Sequence, residues 1–269
     1  MSIFNDNPDQ SNIIELRGIG QSYDGGQNFI IKNLDFLIED KPDQGQFVVI
    51  LGMSGAGKST ILRYIANLQQ PTEGTVLVKG KPVSSAERVS MVFQQYSSLP
   101  WMTVLENVGL ALQYQGVSKS EREDRAMELI KMVGLEGHEQ KFAQYPTLSG
   151  GQLQRVAIAR SILANPEILL MDEPFGALDI RTRLQMQDLL TSIWHKFQST
   201  IIFVTHDISE AVYLGDEIYI MKAQPSRFVK RIKVDLPLIR DRMTKRDANY
   251  TKLVHEVEDA MMAVSEMTD

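Results

Sequence analysis

The chain has 269 residues, 43% of them hydrophobic, which is enough to bury the core of one large domain or two small ones. Its formal net charge of −6 argues against nucleic acid as the main partner, because nucleic-acid-binding domains usually carry a surplus of basic residues. The absence of cysteine excludes disulfide bonds and thiolate zinc sites.

The N-terminal residues 1–12 are polar and are predicted to be disordered. They show neither the basic start nor the apolar stretch of a signal peptide. Strand-like apolar residues follow from Ile14 to Ile38. The longest apolar runs of the chain, 47–51 and 201–204, are far shorter than the ~20 residues that span a bilayer. We therefore expect any membrane association to come through a partner.

A continuous apolar run at 47–51 is typical of a buried parallel strand, and it leads into a glycine-rich loop and a helix-like segment at 60–68. The loop fits the phosphate-binding pattern G-x-x-x-x-G-K-[ST]. In this pattern Lys58 supplies a charge for the β- and γ-phosphates and the Ser59 hydroxyl ligates Mg²⁺. The plain alternative is a chance glycine loop before a helix. The expected nucleotide-binding residues are Gly52, Ser54, Gly55, Ala56, Gly57, Lys58, Ser59 and Thr60.

Residues from about 96 to 164 are predicted to be mainly helical, with one helix near 121–133. Two apolar strands, 168–171 and 200–204, flank a predicted helix at 182–197. Strands that alternate with helices indicate a parallel sheet covered on both faces. The simplest architecture is an α/β core that carries a helical insertion.

Two acidic residues, Asp172 and Glu173, end the 168–171 strand, at the edge where α/β sheets bind ligands. Asp172 is predicted to hold Mg²⁺ through a water, and Glu173 to act as the general base that polarises the attacking water. The structural alternative is a solvated pair of carboxylates that only stops the strand.

The segment Leu148-Ser149-Gly150-Gly151-Gln152 precedes a helix-like run at 153–163. It places a serine and backbone N–H groups at a helix N-terminus, where anions bind. Taken alone, this segment is an ordinary N-cap.

The phosphate loop, the Ser149 segment, the strand that ends in Asp172-Glu173 and the later His206 together resemble the nucleotide-binding subunit of ATP-binding cassette (ABC) transporters. The resemblance runs from about residue 13 to about residue 222. It implies a P-loop (RecA-like) α/β core with a mixed or parallel sheet, an N-terminal antiparallel β subdomain and an inserted α-helical subdomain. The corresponding domains are an ATPase domain at 13–225, with the helical subdomain at about 96–164, and a C-terminal strand and helix tail at 226–269.

The same resemblance implies ATP and Mg²⁺ as ligands and ATP hydrolysis as the activity. It also implies a head-to-tail dimer in which Ser149, Gly150, Gly151 and Gln152 face the γ-phosphate held by the opposite subunit. Further expected partners are two transmembrane permease subunits and, indirectly, a solute-binding protein, with the chain peripheral at the cytoplasmic face of the cell membrane.

Four single residues take their expected roles only from the resemblance. Gln94 matches the glutamine that contacts Mg²⁺ and the attacking water, and His206 matches a histidine that contacts the γ-phosphate. Asp179 matches a loop that communicates across the dimer. Tyr23 stands where an aromatic ring stacks on adenine; its alternative is a strand-end aromatic packed on the core.

Two further segments resemble the importers of nitrate, sulfonate and taurine: residues 99–108, which contain Trp101, and residues 235–242. Import of such small anions is therefore the expected function. Trp101 could equally be a core residue, and the tail charges at Arg240, Arg242, Lys245 and Arg246 are predicted to be a solvated helix start.

Three other functions stay open from the sequence. They are a lipid-transport or efflux ATPase, a soluble ABC ATPase that acts as a clamp on ribosomes or DNA, and a small-molecule phosphotransferase. The last would have little use for the Ser149 segment.

Overall fold

The computed structural model describes residues 12–41, 44–83, 89–176, 178–197 and 199–266. Its strands are β1 (Asn12–Ser22), β2 (Phe29–Glu39), β3 (Phe47–Gly52), β4 (Glu73–Val78), β5 (Lys81–Pro82), β6 (Ser90–Val92), β7 (Ile168–Asp172), β8 (Thr200–Thr205), β9 (Glu217–Lys222) and β10 (Arg227–Lys233). Its α-helices are α1 (Lys58–Ile65), α2 (Val104–Tyr114), α3 (Lys119–Met132), α4 (Gly150–Leu163), α5 (Ile180–Phe197), α6 (Ile208–Leu214) and α7 (Ala248–Glu266), and Thr244–Arg246 form a 3₁₀ turn.

The chain divides into two compact units. One contains the chain up to residue 89 together with the chain from 202 onward, and the other contains residues 90–201. The predicted disorder at 1–12 falls almost wholly outside the described residues, except that Asn12 already belongs to β1. The domain boundaries inferred from the sequence stay predictions.

The first unit contains an antiparallel sheet with the strand order β2-β1-β4-β5. Along β2, Leu34, Phe36 and Ile38 are buried whereas Asp35 between them is exposed. This alternation gives the strand one core face and one solvent face. The antiparallel β subdomain predicted from the sequence is therefore present.

The same unit contains strands of a second sheet in the order β10-β9-β3-β8, where β8 belongs to this unit from residue 202 onward. β3 is parallel to β9, and β9 is antiparallel to β10, so the sheet is mixed. Every residue of β3 and β8 is buried, as expected for strands covered on both faces. α1 ends at Ile65 rather than at the predicted 68, because Asn67 takes a left-handed conformation (φ 54°) that stops the helix.

The second unit contains helices α2 to α5 and the parallel pair β6 and β7. α2 packs against both α3 and α4. α4 begins at Gly150, three residues before the predicted start, because Ser149 and Gln152 form a capping box that opens the helix. The P-loop α/β fold with a helical part is thus confirmed.

In the C-terminal tail, one prediction from the sequence, that of a solvated Arg240, is wrong. Arg240 was expected to be a solvated charge, but it is buried and donates hydrogen bonds to the carbonyls of Tyr213 and Gly215 and to the carboxylate of Asp216. Lys245 lies 4.1 Å from the centre of the Tyr213 ring, in cation–π geometry. The tail is therefore fixed to the end of α6.

Among the helices of the described ranges, none has the length and apolar character needed to cross a membrane.

Candidate functional site

The phosphate loop of the first unit adopts backbone conformations that require glycine at three positions. Gly52 ends β3, and a Cβ there would lie 2.6 Å from the Met221 carbonyl oxygen, so only glycine fits. Gly55 and Gly57 have φ angles of 81° and 89°, in the left-handed region that side chains disfavour. The loop turns back sharply between β3 and α1 as a result.

Lys58, the first residue of α1, is buried although it carries a charge. Its ammonium donates hydrogen bonds to the carbonyl oxygens of Gly52 (2.9 Å) and Met53 (3.1 Å). The side chain is therefore folded back over the loop, and its charge is held beside the loop backbone rather than extended into solvent.

The N-terminus of α1 suits an anion. Its N-cap is Gly57, which has no side-chain oxygen to cap the helix, and no acidic residue lies in the first turn. The first N–H groups of a helix carry partial positive charge and need acceptors from outside the helix. Ser59 and Thr60 in this turn are half-buried. The helix end, the loop and Lys58 together present converging donors, which is what a phosphate group requires.

Tyr23 lies in the loop after β1 and is 68% exposed, so it is not packed on the core. Its hydroxyl accepts a hydrogen bond from Gln69 Nε2 at 3.1 Å, which fixes the ring while its faces stay open. Asp24 organises the loop by accepting from the backbone N–H groups of Gln27 and Asn28. Hydrogen bonds from Asn28 and Ser22 lower the pKa of Asp24 to about 2.

His206 directly follows β8 and is exposed. The turn that carries it is firmly held: the Asp207 carboxylate caps α6 by accepting from Glu210 N at 3.0 Å, and the Thr205 hydroxyl donates to the buried Glu210 carboxylate at 2.7 Å. The histidine is thus presented on a rigid turn between a buried strand and a helix.

In the second unit Asp172 is the buried last residue of β7, and Glu173 follows it. Glu173 has a φ angle of 42°, and its carbonyl accepts from Gly176 N at 3.1 Å to close a turn. The left-handed region costs about 1–3 kcal/mol for such a residue, and strain of this kind concentrates at functional sites. The turn therefore fixes the direction in which the carboxylate leaves the strand.

Gln94 is exposed in the segment after β6. Two residues of α4 hold this segment: the buried Gln154 donates to the Phe93 carbonyl at 3.3 Å, and Arg160 donates to the carbonyl and the hydroxyl of Ser97 at 2.8 and 3.0 Å. Neither residue was predicted from the sequence. In the sequence, each of the two is marked only as a polar residue within a largely apolar helical segment.

The Ser149 segment forms the complete cap of α4. The Ser149 hydroxyl accepts from Gln152 N at 3.3 Å, and the Gln152 amide oxygen accepts from Ser149 N at 2.9 Å. A Cβ on Gly151 would lie 3.3 Å from Thr182 and 3.4 Å from Leu178, so the glycine lets α4 approach the start of α5. Ser149 is exposed.

Asp179 is exposed and caps α5, because its carboxylate accepts from Thr182 N at 3.0 Å. Hydrogen bonds from Thr182 lower the pKa of Asp179. The residue is therefore charged at neutral pH and held at a helix start.

Trp101 is 70% exposed, which excludes the core-packing alternative. The loop that carries it is rigid because the fully buried Asn107 binds both groups of Leu99, accepting from its N–H at 2.8 Å and donating to its carbonyl at 3.0 Å. The Asn107 amide also donates to the carbonyls of Met102 and Thr103. A large apolar side chain thus projects from a fixed backbone.

The predicted site residues divide between the units. Tyr23, Gly52 to Thr60 and His206 belong to the first, whereas Gln94, Ser149 to Gln152, Asp172, Glu173 and Asp179 belong to the second. A separate cavity of about 500 Å³ lies between β2 and β10 around Phe36, Tyr219 and Phe228, and none of the predicted site residues lines it.

Comparison with known proteins identifies the family of the chain. The sequence profile of the family described as ABC transporter matches residues 32–176. The nitrate import ATP-binding protein NrtD of Synechocystis sp. is 41% identical over 91% of this chain and 90% of that protein. The taurine import ATP-binding protein TauB of Rhizobium johnstonii is 48% identical over 75% of this chain and 76% of that protein.

Among solved structures, the dimeric post-hydrolysis state of the ATP-binding cassette MJ0796 bound to ADP and Pi is 34% identical to this chain. It aligns with a TM-score of 0.70 over 85% of this chain and 99% of its own. The phosphate loop, the capped Ser149 segment and these relatives lead to one conclusion: the chain belongs to the ABC transporter family and is an ATP-binding, ATP-hydrolysing member of it.

Proposed function

We propose that this chain is the ATPase subunit of a membrane importer for small anions, and that two copies of it share each bound ATP. The main support is that the chain carries two different helix N-termini suited to phosphate. α1 starts at an uncapped glycine beside Lys58, whereas α4 starts at an exposed serine in a complete capping box. A single ATP needs only one such end to hold its phosphates, so the second is available to the nucleotide of another copy.

In this proposal the loop from Gly52 to Thr60 binds the phosphates of ATP. Lys58 exchanges its hydrogen bonds to the Gly52 and Met53 carbonyls for the β- and γ-phosphate oxygens. Tyr23 stacks on the adenine, since its faces are open and its hydroxyl is held by Gln69.

The donor set fits Mg²⁺, which prefers oxygen ligands and retains several waters. The Ser59 hydroxyl, the Gln94 amide oxygen and the Asp172 carboxylate are the proposed ligands, with Asp172 acting through a water. When bound, the ion neutralises charge on the β- and γ-phosphates.

Hydrolysis is an in-line attack of water on the γ-phosphorus, which breaks its bond to the oxygen of the β-phosphate and yields ADP and inorganic phosphate. Glu173 accepts the proton of the attacking water, aided by the fixed direction that its left-handed backbone gives the carboxylate. Gln94 orients this water, and His206 hydrogen-bonds the γ-phosphate from its braced turn.

The second copy contributes Ser149, Gly150, Gly151 and Gln152 to the γ-phosphate, and Asp179 communicates between the two sites. ATP then closes the dimer, and the dimer opens once phosphate has left and only ADP remains. Support comes from the 34%-identical cassette, which is described as a dimer bound to ADP and Pi.

The transport role rests on Trp101 and on the relatives. Trp101 on its rigid loop offers an apolar anchor for a permease subunit at the membrane's cytoplasmic face. The solute class, small anions such as nitrate or sulfonates like taurine, follows the names of the two import relatives. Two permease subunits and a solute-binding protein complete the proposed assembly.

The shared-site proposal is tested by mixing Lys58→Ala chains with Ser149→Arg chains. In a mixed dimer one site combines both defects, while the other combines an intact loop with an intact Ser149 segment. We expect each variant alone to be inactive and the mixture to recover hydrolysis. A mixture that stays inactive, while both chains fold and dimerise, would contradict the shared site.

The transport class is tested by purifying the chain with its natural partners and measuring uptake in vesicles. Recovery of permeases and a solute-binding protein, with nitrate- or sulfonate-dependent hydrolysis, supports the importer. Recovery of ribosomes or DNA supports the clamp instead, and permeases that drive lipid movement or export support the efflux alternative.

A further inference from the structure

His138, in the segment between α3 and α4, touches the Ser149 segment directly. Its Nε2 atom lies 3.0 Å from Nε2, the side-chain amide nitrogen, of Gln152. Its Nδ1 atom lies 3.3 Å from the carbonyl oxygen of Glu136. The imidazole therefore bridges the connecting segment and the N-terminus of α4 through its two nitrogens.

The hydrogen-bond roles follow from the capping box. The amide oxygen of Gln152 accepts from Ser149 N at 2.9 Å, so its amide nitrogen faces His138. An amide nitrogen only donates, and the imidazole Nε2 must therefore accept. The imidazole proton then lies on Nδ1 and is donated to the Glu136 carbonyl. The reverse orientation of the Gln152 amide would set two donors against each other at Ser149 and break the cap.

We propose that His138 is a positioning residue for ATP hydrolysis, which holds Gln152 in the rotamer that orients the Ser149 hydroxyl. The chain of contacts is short. His138 holds the side-chain amide of Gln152, and the oxygen of that amide accepts from the backbone N–H of Ser149. The backbone N–H of Gln152 donates to the Ser149 hydroxyl. The inference rests on the proposed role of the Ser149 segment at the γ-phosphate, and it adds the residue that holds this segment in place.

The surroundings of His138 agree with a built contact. Glu139 beside it accepts from Gly137 N at 2.7 Å, which shapes the turn that presents the imidazole. The Lys141 N–H donates to the His138 carbonyl at 2.9 Å and closes the next turn. The side chain thus projects from a short backbone structure held on both sides.

Two variants separate the two nitrogens of the imidazole. His138→Gln keeps an acceptor near the Nε2 position and so keeps the contact to Gln152. His138→Asn keeps a donor near the Nδ1 position, for the Glu136 carbonyl, and loses the contact to Gln152. The two substitutions are matched in polarity, and either one removes the imidazole.

We expect His138→Asn to lower kcat about fivefold, the effect of one hydrogen bond, while the dissociation constant for ATP of the isolated chain is unchanged. His138→Gln should keep a kcat close to that of the unmodified protein. In a Gln152→Ala background, His138→Asn should have no further effect, because the partner through which it acts is gone. Melting temperatures of all variants control for folding.

Equal kcat values for the two His138 variants, or an undiminished effect of His138→Asn in the Gln152→Ala background, would overturn the proposal. Ser149→Arg distinguishes its failure from that of the shared site. If Ser149→Arg leaves hydrolysis intact, the shared site itself is wrong. If it abolishes hydrolysis while His138→Asn is normal, only the role of His138 is wrong.

Discussion

Replacing Arg240 by alanine should destabilise the first unit by about 3–5 kcal/mol, the range for leaving one partner of a buried ion pair without the other. The Arg240 side chain is 2% exposed, and its guanidinium lies 3.0 Å from the Asp216 carboxylate. It also donates to the carbonyls of Tyr213 (3.0 Å), Gly215 (2.9 Å) and Pro237 (3.0 Å). The substitution leaves these acceptors without the guanidinium and leaves a carboxylate in a mostly buried position.

Asp216 gives this prediction a pH dependence. Burial raises the pKa of Asp216 above the usual 3.8, and the Arg240 charge opposes that rise. A raised folded-state pKa means that the stability which this carboxyl contributes is fully present below its unfolded pKa and is lost as the pH rises through its folded pKa. Without Arg240 the folded pKa of Asp216 rises further. The loss of stability caused by Arg240→Ala should therefore be larger at pH 7 than near pH 4.

The assay is thermal and urea unfolding of both proteins at the two pH values. A loss of this size corresponds to about 6–20 °C in melting temperature for a protein of this length. Arg242→Ala, an exposed arginine two residues along, is the matched control and should change stability by no more than about 0.5 kcal/mol. A melting temperature for Arg240→Ala equal to that of the control, or a loss that grows on acidification, would refute the reasoning.

Three further outcomes are expected. Glu173→Gln should lower hydrolysis roughly 10²–10⁴-fold yet keep ATP binding, and size-exclusion chromatography should show a dimer with ATP but not with ADP; near-normal turnover would place the general base elsewhere. Trp101→Ala should reduce recovery of the permease complex without affecting nucleotide affinity, whereas Tyr114→Ala, an equally exposed aromatic, should not; equal recovery for both variants would remove the anchor role. Asp24→Ala should loosen the loop that carries Tyr23 and raise the KM for ATP severalfold at constant kcat, and an unchanged KM would show that the loop does not orient the base.

Much of the candidate site could be predicted from the sequence because its parts are local. The loop from Gly52 to Ser59 is contiguous, and its strand and helix follow from apolar runs next to it in the chain. The cap at Ser149 is equally local, since its partner Gln152 is three residues away. Each of these features depends on backbone geometry over a few residues, which residue type and spacing largely determine.

The sequence left other questions open. For Tyr23 and Trp101 it offered a packed and an exposed alternative, and both residues are exposed. It missed Gln154, whose partner Phe93 is 61 residues away, and it missed the contact between His138 and Gln152. In each case the contacts of the residue depend on which segments pack together in the folded chain. The spacing of residues along the sequence does not show this packing.

Arg240 shows most clearly what can be predicted from the sequence and what depends on the tertiary structure. The sequence determined by itself that the tail carries a cluster of basic residues and that the chain has the motifs of an ABC ATPase. It did not distinguish Arg240 from Arg242, because both are arginines in a polar stretch. Only the tertiary structure buries Arg240 against the end of α6, where its partner Asp216 lies 24 residues earlier in the chain, and leaves Arg242 exposed. The reason is physical: a charge is tolerated inside a protein only where several acceptors converge on it, and that convergence comes from residues far apart in the chain.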